Sequence, residues 1–303
     1  MKNKIKSLSI RKFDYIINEN GNPELPIEGA LYSQAKYDEE GRILEELKFD
    51  SFGSVQEHYR KEYLQDGRMF KEISFDENDD ILEENEYHYK DGKLNQISIS
   101  YQDSSVDTEN FIYHDDGKLL EKNLITDEGE LESKSVYVYD NEKLIGEKSF
   151  GEEGELIMEK KMKYNKKGML IDEKYSNEEQ GEGFRIINEY DDKGNIVEIK
   201  RYDEEDHLVE KATYTLDEKN RIISTDEKGM EGSKHTQMKY DDKDNMIFQE
   251  ETDANGNINH TVERSFNEDG HIVEVDAFVN LRGMGVDQRY VLRYEYERYS
   301  NEG

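Results

Sequence analysis

The sequence predicts an all-β repeat protein: a long antiparallel β-hairpin meander of about 20 strands, coiled into a spiral, solenoid-like sheet. Three observations predict it. A short motif recurs: an aromatic residue, an acidic or polar turn, a Gly, one spacer and then an aliphatic residue, as in Tyr190-Asp191-Asp192-Lys193-Gly194-Asn195-Ile196. Its recurrences are regularly spaced. Between them, polarity alternates with the period of two that belongs to strands.

The Gly of each motif serves as a marker, and seventeen markers run from Gly41 to Gly270. Twelve are Gly and four are Asp or Asn, with Glu142 the exception. That replacement set has a physical cause. A hairpin loop built on a type I turn puts its last residue in the left-handed region, where Gly is free and Asn or Asp is tolerated. An apolar residue follows two positions later in sixteen of the seventeen cases; Glu231, after Gly229, is the exception.

The spacing has two levels. A first series, at 41, 67, 92, 117, 142, 168, 194, 220, 244 and 270, advances in steps of 24 to 26 residues. A second, at 53, 79, 129, 154, 206, 229 and 256, falls between, usually 12 after the first. One repeat of about 25 residues thus holds two strands and two turns, too little to bury a core alone, so neighbours must stack.

Residues 1–30 stand outside the repeat and are expected to form an N-terminal cap. Ile5, Leu8 and Ile10, then Phe13, Tyr15 and Ile17, suggest a short strand pair, ended by Asn20-Gly21-Asn22-Pro23. Residues 31–280 are the hairpin array. The even spacing puts the post-turn aliphatic and the next pre-turn aromatic on one side of the sheet. A Glu often lies between them, at 45, 57, 83, 121, 198, 210 and 274. A row of like charges on adjacent strands must be solvated or interleaved with Lys, which predicts a partly wet inner face.

The second series has irregular connections near 104, 180, 230 and 283. In a meander, all turns of one series lie along one edge. The irregular loops are therefore expected on one edge, as tolerated surface insertions or as a partner-binding edge. Residues 281–303 are expected to be a C-terminal capping strand whose open edge must be managed. Its Tyr290, Arg293, Tyr294, Tyr296 and Arg298 are the candidate partner-binding residues, since Tyr and Arg are favoured interface anchors.

Composition narrows the function classes. Charged residues make up 38% of the chain and the net charge is -32, which disfavours direct binding to nucleic acid or anionic lipid and favours a basic protein partner. There is no Cys, so disulfides and thiolate chemistry are excluded. No apolar run is long enough for a signal-peptide core or a helical span, so a soluble cytoplasmic protein is expected. The seven His lack metal-ligand spacing. The acidic loop Asp253 to Asn257 has Arg264 where an EF-hand loop would need its Glu. Phosphate loops, nucleophile elbows and HExxH are absent, and carboxylate pairs are too common here to be specific. No enzyme activity, cofactor or metal is expected.

Tyr190-Asp-Asp-Lys-Gly-Asn-Ile, Tyr37-Asp-Glu-Glu-Gly-Arg-Ile and Tyr240-Asp-Asp-Lys-Asp-Asn-Met resemble the YD repeats of the RHS family over roughly residues 31–280. The resemblance implies a spiral β-sheet. The chain is shorter than RHS proteins and lacks a recognisable toxin domain, so it looks more like small free-standing YD-repeat or MORN-like proteins of bacteria. That likeness implies an immunity, antitoxin or defence-complex subunit. The expected function is a non-enzymatic protein-binding scaffold of a bacterial cytoplasm that meets a basic partner. The alternatives are a nucleic-acid-mimicking inhibitor and a carbohydrate-active or glycan-binding protein.

Overall fold

The computed structural model describes residues 4–17, 19–230, 232–280 and 287–300. Every element is a β-strand. The chain divides into two compact units, residues 1–84 with 236–303, and residues 85–235.

In the first unit, β1 (Ile5–Asp14) leads into a small hairpin, β2 (Ile16–Ile17) and β3 (Pro23–Glu24). Then come β4 (Ala30–Tyr37), β5 (Ile43–Phe49), β6 (Val55–Tyr63), β7 (Met69–Phe75) and the start of β8 (Ile81–Lys90). The second unit holds β9 (Lys93–Tyr101), β10 (Val106–Tyr113), β11 (Leu119–Ile125), β12 (Leu131–Asp140), β13 (Lys143–Phe150), β14 (Leu156–Tyr164) and β15 (Leu170–Asn177). It continues with β16 (Glu182–Tyr190), β17 (Ile196–Tyr202), β18 (Leu208–Leu216), β19 (Ile222–Gly229) and the start of β20 (Gly232–Tyr240). The first unit resumes with β21 (Met246–Asp253), β22 (Ile258–Phe266), β23 (Ile272–Val279) and β24 (Gln288–Arg298).

Each strand from β4 to β24 neighbours the next in one 22-stranded antiparallel sheet. The ends of that order do not stay open. β1 pairs with β24 on one side, from Ile5↔Arg298 to Asp14↔Tyr290, and with β4 on the other, from Ser7↔Lys36 to Lys12↔Ala30. The strand order therefore closes as a β-barrel, and the expected open spiral or solenoid sheet is corrected. The strand that closes it lies inside the segment read as an N-terminal cap. β24, read as a capping strand with an open edge, has both edges paired.

Closure also overturns the cytoplasmic expectation, and with it a cytoplasmic repeat scaffold. That expectation rested on the lack of a helical span. Among the described residues, no helix is long and apolar enough to cross a membrane. That test does not bear on a closed antiparallel sheet, since barrels cross with strands of alternating polarity.

The hairpins are built by their turns. At 38–42, the Gly41 N–H donates to Asp38 O at 3.0 Å and the Asp38 N–H to Arg42 O at 2.9 Å. The Asp38 carboxylate accepts the N–H of Glu40 at 3.0 Å and of Arg42 at 2.9 Å. This is an Asx-capped type I turn. Gly41 follows in the left-handed region at φ 84°, and the pairing then shifts by one residue between Lys36 and Tyr37. The same shift just before Tyr63, Tyr113 and Tyr190 puts each Tyr opposite the post-turn apolar residue, Met69, Leu119 and Ile196. The core is thin. Among the described residues the buried apolar side chains are Phe13, Val275, Ala277 and Val291, all on β1, β23 and β24, where the sheet closes.

Candidate functional site

The two turn series lie at opposite ends of the strands, and in each unit those two ends are built differently. At the first-series end, the phenols of four pre-turn Tyr residues each donate to the carbonyl of an aliphatic residue one repeat back. Tyr63 reaches Ile43 O at 2.8 Å in the first unit. In the second, Tyr113 reaches Leu94 O at 2.8 Å, Tyr164 reaches Leu144 O at 2.9 Å and Tyr190 reaches Leu170 O at 2.7 Å. Burial raises the pKa of Tyr63 and Tyr113. A cation from the preceding turn covers the ring: Arg42 over Tyr63 at 4.9 Å, Lys93 over Tyr113 at 5.1 Å, Lys143 over Tyr164 at 5.0 Å.

Turn also bonds to turn. Lys118 Nζ reaches Glu142 at 3.2 Å, Lys167 Nζ reaches Asp192 O at 3.0 Å and Lys193 Nζ reaches Asn220 Oδ1 at 3.1 Å. The packing is close enough that a Cβ on Gly117 would meet Lys93 Nζ at 2.8 Å, and one on Gly168 would meet Lys143 Nζ at 2.8 Å. This end spends its cations on its own carbonyls, rings and carboxylates.

The second-series turns supply no such cations of their own; only strand residues reach in, Arg185 to Asp206 at 3.7 Å and His58 to Asp79 at 2.9 Å among the described contacts. None of the described turns of this end, at 50–54, 76–80, 101–105, 126–130, 151–155, 177–182, 203–207 and 253–257, contains a Lys or Arg in sequence. They carry Asp76, Glu77, Asp79 and Asp80 in the first unit. In the second unit they carry Glu152, Glu153 and Glu155, and Asp203, Glu204, Glu205 and Asp206. Large apolar side chains also stand free here. Phe52 is 93% exposed and Met230 90% exposed, each in a second-series turn, and Ile27 is 99% exposed in the β1–β4 connection at the same end. The post-turn aliphatics Ile81, Val106, Leu208 and Ile258 are exposed as well.

The irregular connections belong to this end, but they are not alike. The one near 104 is an ordinary turn. The Ser104 N–H donates to Tyr101 O at 3.0 Å, and Ser104 takes the left-handed place at φ 72°. The one near 180 differs. Gly181 is left-handed at φ 62°, and the Gln180 N–H donates to Asn177 Oδ1 at 3.0 Å. Near 230, Gly232 has φ 113°, and the marker Gly229 is the last residue of β19. A cleft of about 390 Å³ lies between these two loops, lined by Phe184, Arg201, Val209, Glu210, Glu227 and Met230 among others. Tyr175 stacks on Phe184 at 4.9 Å and Arg201 covers Phe184 at 4.6 Å. The connection near 283 lies outside the described residues.

The five residues predicted as a recognition strip all lie on β24, but their side chains are engaged. Tyr296 donates to Ile272 O at 2.8 Å. Arg293 bonds Glu274 at 2.9 Å and covers Phe13 at 4.6 Å. Arg298 bonds Asp269 at 2.8 Å, and Lys12 lies over Tyr290 at 4.8 Å. Burial raises the pKa of Tyr294 and Tyr296. Closure of the sheet sets β24, which carries these residues, between β1 and β23.

The Glu row is interleaved with cations from the flanking strands. Glu45 accepts from Lys36 at 2.5 Å, Arg60 at 2.9 Å and His58 at 3.1 Å, and its side chain is 13% exposed. Burial pushes its pKa up, but these hydrogen bonds outweigh it and hold the carboxyl at about 2. Glu198 lies between Lys200 and Lys211, and its pKa is lowered by them. His58, which no local pattern marks, is buried on Phe75 at 4.4 Å with Asp79 at 2.9 Å from its Nδ1. No group of three or more His, Cys, Asp or Glu among the described residues could hold a metal. In the acidic loop at 253, the Asp253 carboxylate accepts from Asn255 N at 2.9 Å, Asn257 N at 2.8 Å and Asn257 Nδ2 at 3.0 Å, so its oxygens are committed to the turn.

No protein-family model matches the chain, and no curated protein matches it. Solved structures similar to it include TcdB2-TccC3 without its hypervariable C-terminal region, at 13% identity and a TM-score of 0.35. That match covers 97% of this chain and 22% of the other, so this chain spans about a fifth of that relative. Two porin-like proteins are also similar. The one from Bacteroides uniformis has 12% identity and a TM-score of 0.32, over 97% of this chain and 98% of the other. The one from Bacteroides vulgatus has 10% identity and a TM-score of 0.26, over 98% and 99%. Similarities of this size establish neither ancestry nor activity.

Proposed function

We propose that the chain is a non-enzymatic protein-binding protein whose second-series end takes a partner with a basic surface. The observation that carries the reading is the sorting of charge between the two ends. Lys and Arg in turns belong to the first-series end, where they are bonded internally. The second-series turns keep their carboxylates without them. In water such a row attracts a polycation and speeds its encounter, with a strong dependence on salt. The YD-like motif suits this role, because it fixes turn geometry while leaving turn-tip side chains free to vary.

The test compares two charge reversals of equal size in the second unit. One replaces Glu152, Glu153 and Glu205 with Lys at the second-series end. The other replaces Asp115, Asp192 and Glu218 with Lys at the first-series end. The probe is a peptide of alternating Lys and Gly, titrated at low and high salt. The second-series reversal is expected to weaken binding about tenfold or more, and the first-series reversal by less than about threefold. Equal losses from both, or binding indifferent to salt, would remove the reading.

A further inference from the structure

The second-series end of the first unit offers more than charge. Its exposed apolar side chains are gathered there. β1, β4 and β5 are successive neighbours. The β1–β4 connection therefore leaves the sheet next to the β5–β6 turn, with roughly 10 Å between them from strand spacing. The connection presents Ile17, 70% exposed, and Ile27, 99% exposed, and the turn presents Phe52, 93% exposed.

These side chains are held out by a built support. The carbonyl of Gly29 accepts from Arg11 Nη1 at 3.2 Å. A Cβ on Gly29 would sit 2.6 Å from the Phe13 ring, so the connection is pressed onto a buried residue. The Tyr15 N–H donates to Arg289 O at 3.1 Å and its phenol to Asp276 at 3.1 Å. At the β5–β6 turn, the Asp50 carboxylate accepts Phe52 N at 2.8 Å and Ser54 N at 2.9 Å, and Phe52 stands at the tip. Large apolar side chains gathered in water mark a surface that something covers.

The surroundings select what covers them. Glu19, Glu24 and Glu28 lie in the connection, and Asp76, Glu77, Asp79 and Asp80 lie in the next second-series turn. Neither segment contains Lys or Arg. An apolar patch rimmed by carboxylates repels anionic lipid headgroups. It also repels a second copy of the same acidic end. It complements a polypeptide whose Lys or Arg alternate with aliphatic or aromatic anchors.

We infer that Ile17, Ile27 and Phe52 form the apolar anchor site for a basic, amphipathic segment of the partner, with the surrounding carboxylates taking its cations. This rests on the basic-partner reading and adds the apolar half of recognition. The test uses the full chain and two twelve-residue peptides with six Lys each, the remaining residues Leu in one and Ser in the other. Wild type is expected to bind the Leu peptide about tenfold more tightly than the Ser peptide, ~1.4 kcal/mol.

The variant Ile17→Ser, Ile27→Ser, Phe52→Ser is expected to erase that preference and keep its affinity for the Ser peptide, which also shows that it is folded. Equal binding of both peptides by wild type, or a preference that survives in the variant, overturns the inference and leaves the basic-partner reading standing. If wild type fails to bind even the Ser peptide in a salt-dependent way, the basic-partner reading itself has failed. Wild-type binding to phosphatidylcholine vesicles, or a concentration-dependent dimer, lost in the variant, would assign the patch to lipid or to a second copy and overturn the inference.

Discussion

Glu45 shows how single residues make a wet sheet hold together. Its carboxylate sits on the sheet face between Lys36 and Arg60, each on a flanking strand, with His58 as a third donor. The row of Glu was legible in sequence, and so was the need for Lys between its members. The particular cations were not, because cross-strand register and not sequence separation chooses them. The pKa of Glu45 is held from 4.5 to about 2 in the folded chain. A depressed carboxyl stabilises the fold fully above the unfolded pKa, and the gain is lost as pH falls toward the folded value. Glu45→Gln is therefore expected to cost about 2 kcal/mol in urea unfolding at pH 7. The gap from wild type should shrink between pH 4.5 and pH 2. A gap that stays constant over that range would show that the lost contact is not ionic. The Tyr-to-carbonyl bonds give a second test at this scale. Tyr190→Phe removes the donor to Leu170 O and is expected to cost about 1 kcal/mol, measured by the same unfolding curves.

At the scale of the hairpin, the repeat motif is legible in the sequence because its physics is local. A residue that must be left-handed limits itself to Gly, Asn or Asp within one turn. One exception in the sequence pattern disappears in the structure and another moves. At 142 the left-handed residue is Asn141, at φ 53°, in a two-residue loop between the paired Asp140 and Lys143. Gly229 ends β19, and the positive φ falls instead on Gly232, the first residue of β20, two positions after which stands Lys234 and not an aliphatic residue. Ser104 hid a regular turn because Ser is uncommon at a positive φ. Asn141→Val is accordingly expected to cost about 1–2 kcal/mol, whereas Glu142→Ala should change stability by less than about 0.5 kcal/mol. Thermal unfolding of the pair checks the assignment. Ser104→Gly, at φ 72°, is expected to be neutral or slightly stabilising in the same assay. The contrast between the two ends of the strands was also present in the sequence. It appears only when the turns are sorted by series and their Lys and Arg are compared.

For the whole molecule, the missing piece was the closing strand. Strand β1 shares no motif with the repeat, and its pairing with β24 joins Ile5 to Arg298. Nothing local marks a contact of that sequence separation, so the array read as an open sheet with a capped start and a capped end. Closure explains why the Tyr and Arg residues of β24 are engaged and why the buried apolar side chains among the described residues gather on β1, β23 and β24. It also fixes two distinct ends of the strands, one bonded within itself and one acidic with free apolar tips, on which the functional reading depends. Because the chain has no Cys, an engineered pair is unambiguous. Ser9 lies opposite Glu295, and Ile10 opposite Tyr294. One of two successive antiparallel pairs has the closer spacing that admits a disulfide. The decisive measurement is oxidation of Ser9→Cys/Glu295→Cys and of Ile10→Cys/Tyr294→Cys at low protein concentration, followed by mass mapping of the cross-linked peptides. A closed sheet predicts an intramolecular disulfide in at least one pair, with the fold retained; free thiols or only intermolecular cross-links in both would contradict closure.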